Sequence, residues 1–150
     1  MKKMSIEEAI RHLGTVNDTI NPKLEKGMKL VCVKIEGDIK KSMADTPRDT
    51  GRSYYTNNKK VPHHPSLPGN PPAPDTGRLR NSISSAVENK GYEVHGAVGT
   101  TQLDPPYGAY LENGTSTMQP RPWLSPAVAQ NEDFIRETFA ACIQGAFGGR

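Results

Sequence analysis

The chain has 150 residues, a formal charge of +3 and an isoelectric point near 8.9. That length suits one domain, and so mild a basicity excludes a highly charged nucleic-acid coat. Only 34% of the residues are hydrophobic and the mean hydropathy is −0.66, so the core is lean, and 14 Gly with 13 Pro imply that part of the chain lies outside it. No run approaches the roughly 20 apolar residues that span a bilayer, and no membrane partner is expected. The opening MKKMSIEEAI turns acidic after two lysines and lacks the apolar segment of a secretory signal. Cys32 and Cys142 lie far apart, each inside an apolar helical pattern. Two reduced core thiols in a cytoplasm are therefore expected rather than a disulfide.

Residues 1–20 read as an N-terminal arm with a short helical piece from Ser5 to Leu13. A long helix is predicted over residues 22–44, with Asn21 as N-cap and Pro22 at the first helical position. Leu24, Met28, Val31, Ile35, Ile39 and Met43 recur at spacings of three and four and form one apolar stripe. Glu25 with Lys29 and Glu36 with Lys40 make i,i+4 pairs on the other side. Val31, Val33 and Ile35 alternate as a strand would, and Gly27 and Gly37 weaken a helix. The longer stripe outweighs them.

Residues 46–74 carry seven of the 13 prolines. Proline removes backbone donors and favours extended chain, so this stretch is read as an extended arm that gains its order on assembly with a partner. Order resumes at Thr76. Leu79, Asn81, Ile83, Ser85 and Val87 alternate with Arg80, Ser82, Ser84 and Ala86 as a strand, Asn89-Lys90-Gly91 turns the chain, and Tyr92, Val94, Gly96 and Val98 form a second strand. Residues 76–124 are thus the antiparallel sheet region. Ser125 and Pro126 open a last helix over 125–146 as N-cap and N1. Val128, Ile135, Phe139, Cys142 and Ala146 form its stripe, and Gly148-Gly149 closes it. The expected fold class is α+β: a small antiparallel sheet, a long N-terminal helix, a C-terminal helix and an extended Pro-rich arm.

Convergent catalytic groups are not visible, so no enzyme, cofactor or metal is expected. The sequence has no GxSxG elbow, no phosphate-cradling GxxxxGK[ST] loop and no HExxH helix. His63-His64 sits among prolines with no ligand at metal spacing and reads as a solvated dipeptide. Arg52, Lys59 and Lys60 surround Tyr54 and Tyr55. That mixture suits nucleic-acid contact through phosphates and stacking. The preferred reading is a solvated arm whose residues Arg52, Tyr54 and Tyr55 touch a protein partner.

Ser66-Leu-Pro-Gly-Asn-Pro-Pro-Ala-Pro-Asp-Thr-Gly-Arg-Leu-Arg-Asn-Ser-Ile83 is followed by Tyr107-Gly-Ala-Tyr-Leu-Glu-Asn-Gly-Thr115 and then Arg121-Pro-Trp-Leu-Ser-Pro-Ala127. This ordered set resembles the tail-component family of tailed bacteriophages typified by gene product ten of phage Hong Kong ninety-seven. Members of that family look like PGxPPxxDTGRLRxSI, then YAxYLExGT, then RPFLxPA before a terminal helix. The resemblance covers about Pro47 to Phe139. Gly108 stands where alanine is common, Asn113 where an aromatic is common, and Trp123 where phenylalanine is common.

The resemblance implies a virion structural protein of the neck or tail-completion layer, which joins head to tail. It would act as a subunit of a homo-oligomeric ring, six-fold as in a tail tube or twelve-fold as in a portal. Other neck and tail proteins would be its partners, with passing contact with genomic DNA in the channel. The virion neck or tail, and the host cytoplasm during assembly, are the implied locations. A tail-terminator or head-closure subunit is the neighbouring alternative, and a small basic DNA-binding module is the alternative of another class.

Within these motifs Asp75 and Thr76 can close a turn and Gly77 permits an unusual φ. Arg78 and Arg80, flanking Leu79, would share one strand face and meet a partner's carboxylates, with Glu112, within the chain or from a neighbour, as the candidate. Tyr107, Tyr110 and Trp123 offer rigid aromatic area for an interface, although Trp123 and Leu124 suit capping of a core equally well. Gly114 with Thr115, and Arg121 with Pro122, complete the candidate set.

Overall fold

Ser5 and Glu8 set the first helix. The Ser5 N–H donates to the Glu8 carboxylate at 2.9 Å, and the Glu8 N–H donates to Ser5 Oγ at 3.1 Å. This reciprocal capping box satisfies two otherwise orphan amides, and α1 (Ile6–Asp45) then runs for 40 residues. The computed structural model describes residues 5–51, 53, 55, 62–101 and 107–147. Its remaining elements are α2 (Arg78–Ser82), β1 (Ile83–Asn89), β2 (Val94–Thr100), α3 (Tyr107–Asn113), α4 (Ser125–Gln130) and α5 (Glu132–Phe147). The fold is α+β, with β1 and β2 paired as a two-stranded antiparallel sheet.

The chain packs as two compact units, each built from separate stretches of the sequence. The first comprises Met1–Cys32, Ala86–Ala97 and Asp133–Arg150, and the second Val33–Ser85 and Val98–Glu132. A helix of 40 residues is about 60 Å long, more than one small core can cover.

In the first unit α1 does not begin at Asn21, as its sequence suggests, but passes through Pro22. The reason is tertiary. Asn21 is buried and its side chain hydrogen-bonds with the Gly91 carbonyl and the Asn89 amide, while Asn89 also donates to Glu25 at 2.8 Å. The hairpin turn thus holds α1 on both sides of the proline, which offsets the backbone bond that Pro22 lacks. Gly91, with φ 86°, supplies the left-handed residue of that turn. Val31 and Cys32 are buried on α1, and Gly96 of β2 lies against Met28 and Cys32. At the start of α1, Ile6, Ile10 and Leu13 are 81%, 65% and 66% exposed, an apolar stripe open to solvent.

In the second unit Ile39, Met43 and Ile83 are almost wholly covered, and Ile35, Leu79, Leu111, Trp123 and Ala127 are buried as well. Burying each large aliphatic side chain contributes about 1.5–3 kcal/mol. Of the expected stripe from Leu24 to Met43, Val31, Ile35, Ile39 and Met43 are buried while Leu24 and Met28 are half-buried, and the pairs Glu25–Lys29 and Glu36–Lys40 form at 2.5 and 2.6 Å.

Three boundaries depart from expectation. Residues Arg78–Ser82 are one helical turn, not strand, because Gly77 at φ 76° redirects the chain and its carbonyl accepts from the Asn81 N–H at 2.8 Å. Leu79 and Ile83 are both buried, a helical i,i+4 relation hidden within the alternating pattern. The predicted final helix breaks at Asn131, whose buried side chain donates to the Ala127 carbonyl at 2.9 Å and to Asp38 at 2.8 Å. Ser125 is the first residue of α4 rather than its cap. Leu124 occupies that position without a capping side chain.

Residues 62–74, expected to project as an arm, are folded into the second unit. Arg48 and Ser66 form an isolated antiparallel bridge, the Asp49 N–H donates to the Pro65 carbonyl at 2.7 Å, and the Gly69 N–H donates to the Pro120 carbonyl at 2.9 Å. His63, Ser66, Pro72 and Ala73 are buried. Prolines forbid regular ladders, but they do not prevent packing by small and ring side chains.

Candidate functional site

The three motif blocks lie together in the second unit, held mainly by backbone-directed bonds. Glu112 on α3 is the hub. One carboxylate oxygen accepts from the Trp123 and Leu124 N–H groups at 2.7 and 2.9 Å, and the other accepts from the Ser125 N–H at 2.9 Å and from the Ser125 hydroxyl. These are the orphan amides at the start of α4, so a carboxylate 13 residues upstream does the work of an N-cap and meets the positive end of that helix. Burial alone would raise the Glu112 pKa. The Leu124 N–H, the Ser125 hydroxyl, and the Trp123 and Ser125 N–H groups outweigh that effect and hold it below its ordinary 4.5.

Within the chain Glu112 is thus engaged by residues 123–125 rather than by Arg78 or Arg80. On a helical turn, residues two apart point to different sides, so the two arginines share no common face; Arg78 is exposed and Arg80 half-buried. Asp75 instead has an oxygen 3.6 Å from Nδ1 of His63. His63 is thus buried, 7% exposed, and not the solvated loop residue its proline-rich context suggests. The Thr76 hydroxyl accepts from the Arg78 N–H at 3.3 Å, which closes the turn before α2.

Trp123 is a core residue, 4% exposed, and its ring N–H donates to the Gly108 carbonyl at 2.9 Å. Of its two expected roles, core rather than surface anchor is the one the geometry gives. Pro122 beside it is half-buried. Tyr107 and Tyr110 keep 43% and 46% of their surface exposed and remain available as aromatic contacts. Gly114 at φ 75° has room for no side chain, since a Cβ would meet the Met118 carbonyl oxygen at 2.7 Å. The Thr115 N–H closes this turn on the same oxygen at 2.8 Å.

Arg121 joins two blocks. Its N–H donates to the Leu111 carbonyl at 2.7 Å and its Nε–H to the Ser66 carbonyl at 3.1 Å. Around it lies a cleft of about 730 Å³, with Ser53, His63, Ser66, Tyr107, Leu111 and Met118 in its wall. Burial pushes the Tyr107 phenol above its ordinary value even though the residue is part-exposed; Arg121 opposes the shift and Asp75 adds to it. Ser66 and Met118 belong to this cleft without being expected there, and only their places within the motif-bearing stretch hint at it.

Tyr55 of the expected arm contacts is 68% exposed. Arg52, Tyr54, Lys59 and Lys60 lie outside the described residues. Among the described residues no group of three His, Cys, Asp or Glu is placed to hold a metal, and no helix is long and apolar enough to cross a membrane. Comparison with protein-family models, with curated proteins and with solved structures found no match to this chain.

Proposed function

We propose that this chain is a non-catalytic virion protein of a tailed bacteriophage, a ring-forming subunit of the neck or tail-completion layer between head and tail. One observation carries the reading. The three sequence blocks that resemble the family, separated along the chain, interlock in one unit through Glu112 on residues 123–125, Trp123 on Gly108, and Arg121 on both Leu111 and Ser66. A set of motifs whose polar groups satisfy one another is what a shared scaffold requires, whereas a catalytic motif leaves its groups aimed at substrate.

Two further features suit a subunit that assembles. Ile6, Ile10 and Leu13 leave a helical apolar stripe uncovered, and Tyr107 and Tyr110 expose aromatic surface. Such surfaces mark contact sites in soluble proteins. Copies related by rotation would bury them in repeating heterologous contacts that close into a ring.

Immunogold labelling of intact virions with an antibody to this chain tests the placement. Gold at the head–tail junction is the expected result, and virions free of the chain would refute it.

A further inference from the structure

The cleft beside Arg121 has features that the scaffold role does not use. Its guanidinium donates through Nε to a backbone carbonyl, and among the described residues no carboxylate pairs with it. Ser66 lines the same wall, is 1% exposed, and among the described residues its hydroxyl has no hydrogen-bond partner. A buried hydroxyl left without a partner is destabilising and rare, so it asks for an acceptor or donor from outside. The Tyr107 hydroxyl stays protonated at neutral pH, a donor at the same cleft. Pro65, Leu111 and Met118 add apolar wall.

We propose that this cleft binds a carboxylate carried on an apolar-flanked peptide segment of a partner protein, with Arg121 as its charge partner and Ser66 and Tyr107 as hydrogen-bond donors. The volume of about 730 Å³ accommodates a few side chains. One guanidinium balances one carboxylate, whereas a phosphate dianion in a cleft with apolar walls would keep unmatched charge. Asp75, the nearby acid, is already turned to His63 at 3.6 Å. The inference holds whether or not the ring reading does, because it rests on the cleft alone.

The test is an NMR titration of the full chain with three short peptides: acetyl-Leu-Glu-Leu-amide, its isostere acetyl-Leu-Gln-Leu-amide, and acetyl-Leu-Leu with a free C-terminal carboxylate. The glutamate peptide should shift the Ser66, Tyr107 and Arg121 signals and bind at least about tenfold more tightly than the glutamine peptide. Whether the free-carboxylate peptide matches it tells a side-chain carboxylate from a chain end. Arg121→Gln should abolish the preference. Ser66→Ala should weaken binding several-fold while leaving the melting temperature unchanged or higher, since it removes an unpartnered hydroxyl. Equal affinity for the glutamate and glutamine peptides, shifts centred on the α1 lysines, or a lower melting temperature for Ser66→Ala with unchanged affinity would each overturn the assignment.

Discussion

Trp123 occupies the space that a side chain on Gly108 would need. A Cβ built at Gly108 would lie 3.3 Å from Cζ2 of Trp123, 3.3 Å from Leu79 Cδ1 and 3.0 Å from Thr100 Cγ2. These are two of the three positions where the sequence departs from the pattern it resembles, glycine for alanine and tryptophan for phenylalanine. The larger ring and the missing methyl compensate each other, and the indole N–H bond to the Gly108 carbonyl fixes the fit.

Gly108→Ala alone should therefore overpack the site and cost about 1–3 kcal/mol. Trp123→Phe alone should cost a similar amount through a lost hydrogen bond and a cavity. The double variant should cost less than the sum by roughly 1 kcal/mol, as coupled neighbours do. Chemical denaturation of the four proteins measures the coupling, and strict additivity would contradict the exchange of volume.

Glu112 makes the start of α4 acid-sensitive. Because its folded pKa lies below the ordinary 4.5, its stabilisation is fully present above that pH and is lost as the pH falls through the lower folded value. Glu112→Ala should cost about 1–2 kcal/mol at neutral pH, a figure reduced by the partial exposure of the carboxylate. Glu36 and Asp38 are also lowered, first by hydrogen bonds from Lys40 and Lys34 respectively, so the whole protein should weaken in acid. Thermal melts at pH 6 and pH 3 should show a smaller pH effect for Glu112→Gln than for the parent. An equal effect would remove Glu112 from the account.

Gly96 marks a close approach between β2 and α1. A Cβ there would fall 2.5 Å from the sulfur of Met28 and 2.6 Å from that of Cys32. Met28 can move, but Cys32 is buried, so Gly96→Ala should destabilise by about 1–3 kcal/mol. Gly99→Ala, where no atom of the described residues beyond its chain neighbours lies within 4 Å of the added carbon, serves as the control and should cost far less on denaturation.

Both cysteines are free thiols. Burial raises the Cys32 pKa, which lowers its thiolate fraction, while Cys142 is only half-buried. A disulfide reagent in the native state should label Cys142 first and Cys32 at the rate of local opening. Simultaneous labelling would contradict the packing against Gly96.

The hydrophobic spacing from Leu24 to Met43 and the alternation either side of Asn89-Lys90-Gly91 carry most of the α+β fold, because both periods survive where one face is buried. What the sequence conceals is non-local. Nothing adjacent to Pro22 announces that Asn89 and Gly91 will clasp Asn21, so the helix start is misplaced. Ser125 has the composition of an N-cap, yet the capping group comes from Glu112, 13 residues away. The alternation from Leu79 to Val87 conceals a helical turn, since residues four apart satisfy either period. In the candidate site the motif residues were legible as a set, whereas Trp123 in the core and the cleft around Ser66 depend on burial that no local pattern records.

The proposed role places this chain at the head–tail junction of a phage that carries its gene. Electron microscopy of lysates from the phage carrying this gene, with the gene deleted and then restored in trans, tests it most directly. With that role lost, the deletion should leave packaged heads beside unattached or aberrant tails, with joined particles returning on complementation. Normally joined virions from the deletion would contradict it.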